Sequence, residues 1–269
     1  MISNVKQAVK AVVPDRIYTF ARTWVRHFAP VRYPGGSLKC PLCEGNFSHF
    51  LPIGWDLPIL KEKQVIGGGY RLNAACPRCR SYDRERLVYL YLKVRRPYLF
   101  SESITLLHVA PEASLAAKLG SCANIRYVSA DLDSPLAAVQ MDITAISDKD
   151  STYDVIICNH VLEHIEQDSL AMGELFRVLK PGGFAILQVP ISYLLDKTFE
   201  DFAIKDPGER ERAFGQRDHV RIYGEDYVDR LEGAGFTVTP TAPRDFLEPE
   251  LIADYRLLPE EKLFVCEKK

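Results

Sequence analysis

The strongest constraint on the fold of this chain is a set of strand-like segments that are apolar at nearly every position. Three of them, 104–109, 153–158 and 184–189, are separated by stretches with helical patterning. Strands that are continuously apolar are buried on both faces, which is typical of a parallel sheet covered by helices. The sequence therefore predicts an α/β fold with a mostly parallel sheet and helices on both faces.

Further segments fit the same alternation. We predict helices over 83–94, 113–119, 168–179 and 224–233, and additional strands over 125–130, 139–143, 236–240 and 263–267. Pro181-Gly182-Gly183 is expected to end a helix and turn the chain back into the sheet. A charged and aromatic insertion runs from Ile191 to Tyr223. Because loops of this length are usually functional, we expect it to cover the substrate.

Two Cys-x-x-Cys pairs, Cys40 with Cys43 and Cys76 with Cys79, precede this region. Two residues between thiolates let both sulfurs reach one ion at about 2.3 Å, and two such pairs complete a tetrahedral shell. The spacing predicts a structural zinc site in a small zinc-ribbon-like module, with a hairpin between the pairs. An iron–sulfur cluster is the less favoured alternative.

The remaining cysteines, Cys122, Cys158 and Cys266, fall in predicted core elements and are expected to be buried rather than metal-bound. Seven cysteines without a secretory signal indicate a reducing compartment, so we predict a cytoplasmic protein. The chain contains no apolar run long enough to cross a bilayer.

Residues 1–36 carry six basic side chains and one acidic side chain, with apolar residues at helical spacing. We predict two short basic amphipathic helices that pack on the rest of the protein. Peripheral contact with an anionic membrane surface is the alternative. With 34 basic and 36 acidic residues, the whole chain is not an electrostatic nucleic-acid binder. A local patch of Arg78, Arg80, Arg84 and Arg86 keeps RNA binding open.

Residues 153–187 resemble the class I S-adenosylmethionine-dependent methyltransferases. A strand is followed by His160-Val161-Leu162-Glu163-His164, a helix, Leu179-Lys180-Pro181-Gly182-Gly183 and another strand, which looks like the fourth and fifth strands of that family. The resemblance implies a Rossmann-like sheet of seven strands with the ligand at their carboxyl ends. Residues 160–164 also match a zinc-peptidase motif, H-x-x-E-H. We reject that function because the motif belongs inside a long helix.

The resemblance assigns cofactor contacts to the ends of the second, third and fourth strands. Asp131 or Asp133 would bind the ribose hydroxyls, and Asp142 would accept from the adenine amino group. Asn159 and His160 would border the transferred methyl group.

The stretch Leu107 to Ser114 departs from the family, which usually has an acid and then Gly-x-Gly-x-Gly. Here His108 stands where the acid would pair with the cofactor's ammonium group, and the glycines are lost. We expect His108, Ala110 and Glu112 to line the cofactor. Because the glycines of this motif are missing, a catalytically silent binding protein with the methyltransferase fold is a further alternative.

Three regions follow: N-terminal helices at 1–36, the zinc module at 37–100 and the methyltransferase domain at 101–269. The stretch Gln216 to Tyr223 is similar to methyltransferases of bacterial glycan and small-molecule biosynthesis. We therefore predict methyl transfer to a small-molecule or saccharide-like acceptor, most simply O-methylation. An RNA methyltransferase that uses the zinc module to bind RNA is the alternative.

Two histidines are candidates for catalysis. Removal of a proton from a hydroxyl acceptor needs a base near neutral pH, and His219 is the first choice, with His160 second. Arg217 and Arg221 flank His219 and would bind an anionic group of the acceptor.

Overall fold

The computed structural model describes residues 33–269, so the amphipathic helices predicted for the N-terminal segment lie outside the described residues. The strands and helices, numbered in chain order, are β1 (Pro34–Cys40), β2 (Gly45–Phe47), β3 (Leu51–Ile53), α1 (Pro58–Glu62), β4 (Arg71–Ala75), α2 (Asp83–Arg95), β5 (Ile104–Val109), α3 (Ala113–Gly120), β6 (Ile125–Asp131), β7 (Val139–Gln140), β8 (Tyr153–Asn159), α4 (Asp168–Val178), β9 (Leu179–Gln188), β10 (Phe199–Glu200), α5 (Pro207–Phe214), β11 (Arg221–Ile222), α6 (Tyr227–Gly233), β12 (Thr237–Thr241), α7 (Pro249–Asp254) and β13 (Leu263–Glu267). Short 3₁₀ turns cover Pro97–Phe100, Leu162–His164 and Pro243–Asp245.

The central sheet has seven strands in the order β7-β6-β5-β8-β9-β13-β12. Strands β5 to β9 run parallel, and β13 is antiparallel to both of its neighbours. This confirms the predicted fold class. The chain builds the sheet outward from β5 to β7 and then returns to place β8 on the other side of β5. The strand order therefore reverses between β5 and β8, and ligands of such sheets bind outside the carboxyl ends of those strands.

The junction between α4 and β9 differs from the prediction. The helix ends at Val178, and β9 begins at once with Leu179, so Pro181-Gly182-Gly183 lies inside the strand. Gly182 has a φ of 79°, and the register against β8 shifts at this point. A Cβ on Gly183 would lie 2.7 Å from the carbonyl oxygen of Asp154. The glycines thus form an irregularity within the strand, with no separate turn before it.

The segment between the cysteine pairs contains the predicted hairpin, because β3 pairs antiparallel with β4. Helix α1 and the glycine run 67–69 lie between these two strands. Gly54 has a φ of 86°, and a Cβ there would overlap the backbone of Gly69. Only glycine fits this close approach of two backbone segments.

Helix α2 joins the cysteine module to the sheet. It is buried on nearly all sides, and Leu87, Val88 and Leu92 are fully buried in a hydrophobic cluster that extends from Cys40 to Val265. Arg86, also fully buried, donates to the carbonyl oxygens of Ser81 (2.7 Å), Tyr255 (2.8 Å) and Arg256 (3.1 Å). The module and the sheet therefore share one hydrophobic core.

The segment between β12 and β13, which the sequence patterns did not resolve, strengthens this connection. Leu247, Ile252 and Leu257 enter the same hydrophobic cluster, and α7 packs near β1. Asp254 at the end of α7 accepts a hydrogen bond of 2.8 Å from Lys39 Nζ. This segment thus connects the far side of the sheet to the cysteine module.

The four arginines in and after the second cysteine pair do not form a surface patch. Arg86 is buried, and the Arg84 side chain is only 18% exposed. Arg78 lies over the Phe47 ring at 5.3 Å, which leaves Arg80 as the exposed member of the four. Within residues 33–269, no helix combines the length and hydropathy that a membrane span requires.

Candidate functional site

The four predicted metal ligands converge in the structure. Cys40 Sγ lies 3.5 Å from Cys79 Sγ, and Cys43 Sγ lies 3.7 Å from Cys76 Sγ. All four sulfurs fall within 4.8 Å of one another. Four thiolates around one zinc ion at about 2.3 Å are separated by about 3.8 Å, so the set has the geometry of a tetrahedral sulfur site.

The other three cysteines lie away from this cluster. Cys158 and Cys266 are fully buried in β8 and β13, as predicted. Cys122 lies in the turn after α3, where it is only partly buried and contacts the carbonyl oxygen of Lys118 at 3.5 Å. Its expected place within a core element is wrong, because α3 ends before it.

His108 is enclosed at the end of β5. The residue is fully buried, with Nδ1 2.8 Å from Tyr127 Oη and Nε2 2.9 Å from Glu112 Oε2. Both ring nitrogens are therefore engaged by protein atoms. The structure places His108 behind Glu112, so the group that reaches the sheet edge is the Glu112 carboxylate and not the predicted imidazole.

Glu112 lies across the strand ends at the point where the strand order reverses. Its Oε1 accepts from Asn159 Nδ2 at 3.3 Å and lies 3.6 Å from Arg84 Nε. Burial acts to raise the pKa of Glu112, but His108 and Arg84 together hold it below the ordinary value. Glu112 is therefore an ionised carboxylate in a largely buried position. Ala110, just before it, has a φ of 45°, a conformation in which the glycines of the family are more usual.

Arg84 was not predicted as a member of this site. It belongs to α2 of the cysteine module, yet its guanidinium lies beside Glu112 and its Nε is buried without a hydrogen-bond partner. Sequence patterns gave no signal for it, because only the packing of α2 against the sheet brings residue 84 to the strand ends. Among the described residues, its nearest charge partner is Glu112 Oε1 at 3.6 Å, and a buried donor without a hydrogen bond is unusual.

The predicted nucleoside-binding acids occupy the ends of the next two strands. Asp131 closes β6, and its Oδ1 accepts from the backbone N–H of Asp133 (2.9 Å) and of Ser134 (2.8 Å). Asp142 follows β7 and accepts from the backbone N–H of Thr144 at 2.8 Å and from its hydroxyl at 2.7 Å. These bonds from Thr144 lower the pKa of Asp142. Asp133 itself is exposed and serves the turn.

Asn159 is the last residue of β8 and His160 follows it, so both lie at the strand end, as predicted. Asn159 Oδ1 and His160 Nε2 are both buried without a hydrogen-bond partner. Burial and then the charge of Arg84 hold the pKa of His160 well below its ordinary value. A Cβ on Gly67 would lie 3.2 Å from the His160 ring. The glycine run of the cysteine module therefore packs directly on this histidine.

The predicted base His219 lies in the insertion and is buried. Its exposure is 4%, and its Nε2 lies 3.9 Å from Glu163 Oε1. Burial and then the charge of His164 lower the pKa of His219 to about 3. A histidine with so low a pKa is a weak proton acceptor, which disfavours the role of general base.

The insertion between β9 and α6 folds over the sheet edge and contacts the cysteine module. The backbone of Ile191 pairs with that of Ile66, with N–H···O distances of 2.8 and 3.2 Å. Leu60 and Val65 of the module pack in one apolar cluster with Phe214 and Ile222 of the insertion. A narrow cleft between these two segments opens beside His219.

Arg221 does not take the role that the sequence suggested. It is buried, donates to Glu200 Oε2 at 2.8 Å, and also donates to the backbone carbonyls of Leu162, Ile165 and Glu166. Its donors are thus consumed in holding the insertion to the turn after β8. Arg217 is exposed and is the remaining candidate for contact with an anionic group.

Glu261 is a further buried acid that sequence analysis missed. It accepts a 2.7 Å hydrogen bond from Gln188 Nε2 at the end of β9, while its Oε2 has no partner. Burial, and then the charge of Asp83, raise the pKa of Glu261 to about 8. Its position just before β13 gave no hint that the side chain turns toward the strand ends.

The raised pKa of Glu261 predicts a specific dependence of stability on pH. Folded protein retains the proton between pH 4.5 and about 8, where the unfolded chain has lost it. The free energy of unfolding should therefore fall as the pH rises through this window, by up to about 1.4 kcal/mol per pKa unit. Urea unfolding across the window should show this fall for the wild type and a weaker one for Glu261→Gln. The exposed neighbour gives the control Glu260→Gln, and parallel wild-type and Glu261→Gln curves would contradict the assignment.

Residues 98–187 match a family model described as "Methyltransferase domain". The matched segment covers the strand ends that carry Glu112, Asp131, Asp142 and Asn159. A search of curated proteins finds no match. Residues 98–187 thus match a methyltransferase domain, and the predicted class of enzyme, a methyltransferase, is confirmed.

Several solved structures also resemble the chain in fold. A SAM-dependent methyltransferase from Archaeoglobus fulgidus has a TM-score of 0.44 and 14% identity, covering 68% of this chain and 94% of its own. The 1,6-didemethyltoxoflavin-N1-methyltransferase of Burkholderia thailandensis, solved with its substrate and S-adenosylhomocysteine, has a TM-score of 0.42 and 14% identity, covering 69% and 83%. The [4+2]-cyclase SpnF has a TM-score of 0.45 and 16% identity, covering 68% and 81%.

Proposed function

From the premise that the chain is a methyltransferase, we propose that its methyl donor is S-adenosylmethionine, bound across the carboxyl ends of β5, β6 and β8. The observation that carries this proposal is the pair Glu112 and Arg84, separated by 3.6 Å at the point of strand reversal. An amino acid group carries one ammonium and one carboxylate. A buried carboxylate beside an orphaned guanidinium donor offers a partner for each of them.

This pairing replaces the lost glycine motif. Glu112 takes the ammonium group, and Arg84 takes the carboxylate that backbone amides of a glycine-rich loop would otherwise bind. Asp131 binds the ribose through the oxygen left free by its turn, and Asp142 accepts from the adenine amino group. The methyl group then lies near Asn159 and His160, whose unpartnered polar atoms border that end of the pocket.

For the acceptor we propose a small-molecule or saccharide-like compound that is methylated on oxygen. The module and the insertion pack together beside His219 through an apolar cluster that includes Leu60, Val65 and Phe214. The RNA alternative loses the support of the arginine patch, because Arg84 and Arg86 are buried in the protein. Of the two histidines, His160 lies nearer the proposed position of the methyl group, since it follows the end of β8, although burial lowers its pKa as it lowers that of His219. The reaction needs mainly alignment of acceptor oxygen, methyl carbon and sulfur.

Binding of S-adenosylhomocysteine, measured by calorimetry on the full chain, tests the cofactor proposal. Glu112→Gln and Arg84→Met each remove one charge partner and should weaken binding at least tenfold, or about 1.4 kcal/mol. Glu232→Gln, at an exposed position of α6, is the matched control and should bind like the wild type. If the wild type itself fails to bind, the chain is a silent binding protein. If it binds but both variants bind equally well, the placement of the amino acid group is wrong.

We further propose that the four cysteines hold one structural zinc ion. The set leaves no coordination position for chemistry, and reduced cysteines fit a cytoplasmic location. Because Cys40 and Cys76 are buried in the core shared with the sheet, the ion would stabilise both parts of the protein.

Cys76→Ser should abolish the thiolate-bound zinc, measured by metal analysis, and lower the thermal unfolding midpoint. Cys122→Ser replaces a partly buried cysteine outside the cluster and is the control, with unchanged zinc content. A Cys76→Ser variant with wild-type zinc content would contradict the proposed site.

A further inference from the structure

A second group of metal-binding side chains lies where the insertion meets the turn after β8. Glu163 and His164 belong to the 3₁₀ turn Leu162–His164, and His219 belongs to the insertion. One nitrogen or oxygen atom of each falls within 4.8 Å of the others. The backbone N–H of Val220 donates to the carbonyl oxygen of Glu163 at 3.0 Å. This bond fixes the two segments against each other next to the three side chains.

The Glu163 carboxylate accepts no side-chain hydrogen bond from residues 33–269. It is 1% exposed, and both of its oxygens are buried without a hydrogen bond. The nearest donors, His160 Nδ1 at 3.5 Å and His219 Nε2 at 3.9 Å, are beyond ordinary hydrogen-bond distance. A buried ionised carboxylate without a compensating partner is strongly unfavourable. A bound cation would remove this cost.

The two histidines are arranged to complete such a site. His219 Nε2 is buried and also lacks a partner. His164 packs edge to face on His219, with ring centroids 4.6 Å apart, and its Nδ1 lies 3.3 Å from Asp218 Oδ2. A carboxylate beside one ring nitrogen is the usual device that orients a metal-binding imidazole.

We propose that Glu163, His164 and His219 bind a divalent transition-metal ion, separate from the four-cysteine site. Two imidazoles and one carboxylate suit zinc, manganese or ferrous iron, whereas four thiolates select zinc. Three protein ligands leave an open coordination position, the pattern of catalytic rather than structural metal sites. Oxygen ligands, such as the hydroxyls of the proposed acceptor, would fill the open coordination position. The ion also holds the insertion to the turn after β8.

Cobalt substitution of the full chain distinguishes the two sites. Thiolate ligands give cobalt intense charge-transfer absorption, whereas histidine and carboxylate ligands give only weak visible bands. We expect two cobalt ions per wild-type chain. Glu163→Gln, which keeps the shape of the side chain, and His219→Ala should each lose one ion and retain the thiolate absorption. Cys76→Ser should lose the thiolate absorption and retain one ion. His49→Ala, at an exposed histidine of the module, is the control and should retain two ions.

The proposal of a second metal site would be wrong if the wild-type chain binds one cobalt ion and Glu163→Gln and His219→Ala bind the same amount. A thermal unfolding curve of each variant separates loss of the ion from loss of the fold, and Glu163→Gln decides if His219→Ala fails to fold. Cobalt content does not depend on the methyl donor. A failure here therefore leaves the cofactor proposal standing, and a failure of cofactor binding leaves the metal site standing.

Discussion

The proposed cofactor site depends on the contact between Arg84 and Glu112. Arg84 comes from helix α2 of the cysteine module, and Glu112 comes from the turn after β5, the first strand of the parallel sheet. The two meet only because α2 is buried between module and sheet, where Arg86 fastens it through three backbone carbonyls. The cysteine module thereby becomes part of the proposed cofactor site. A metal that holds the module in shape would act on the pocket through this helix.

Buried acids dominate the surroundings of that contact. Burial raises the pKa of Glu85 to about 7, with the charge of Glu112 as a second cause. Arg71 balances part of this charge by donating to both oxygens of Asp83, at 2.7 and 3.0 Å. S-adenosylmethionine carries an ammonium, a sulfonium and one carboxylate, so it is net positive. A net positive ligand at the strand ends would favour the ionised forms of these buried acids, whose pKa values burial raises.

Much of the fold could be predicted from local patterns. The strands at 104–109 and 263–267 have the predicted bounds, because each is a continuous apolar run between turn residues. The convergence of the four cysteines could also be predicted from their spacing, since each Cys-x-x-Cys pair places two sulfurs on one turn. By contrast, three features of the site depend on contacts between residues distant in sequence. These are the positions of Arg84 and Glu261 and the burial of Arg221. Arg221 looked like a surface ligand for anions and instead holds the insertion, which only tertiary packing decides.

The most direct measurement of the central claim is an experimental structure of the zinc-loaded full chain with S-adenosylhomocysteine. We predict the ribose at Asp131, the adenine near Asp142, and the amino acid group between Glu112 and Arg84, with its carboxylate on the guanidinium. A nucleoside bound elsewhere would contradict the proposed cofactor site. So would strand ends that the Glu112 side chain still covers at saturating ligand.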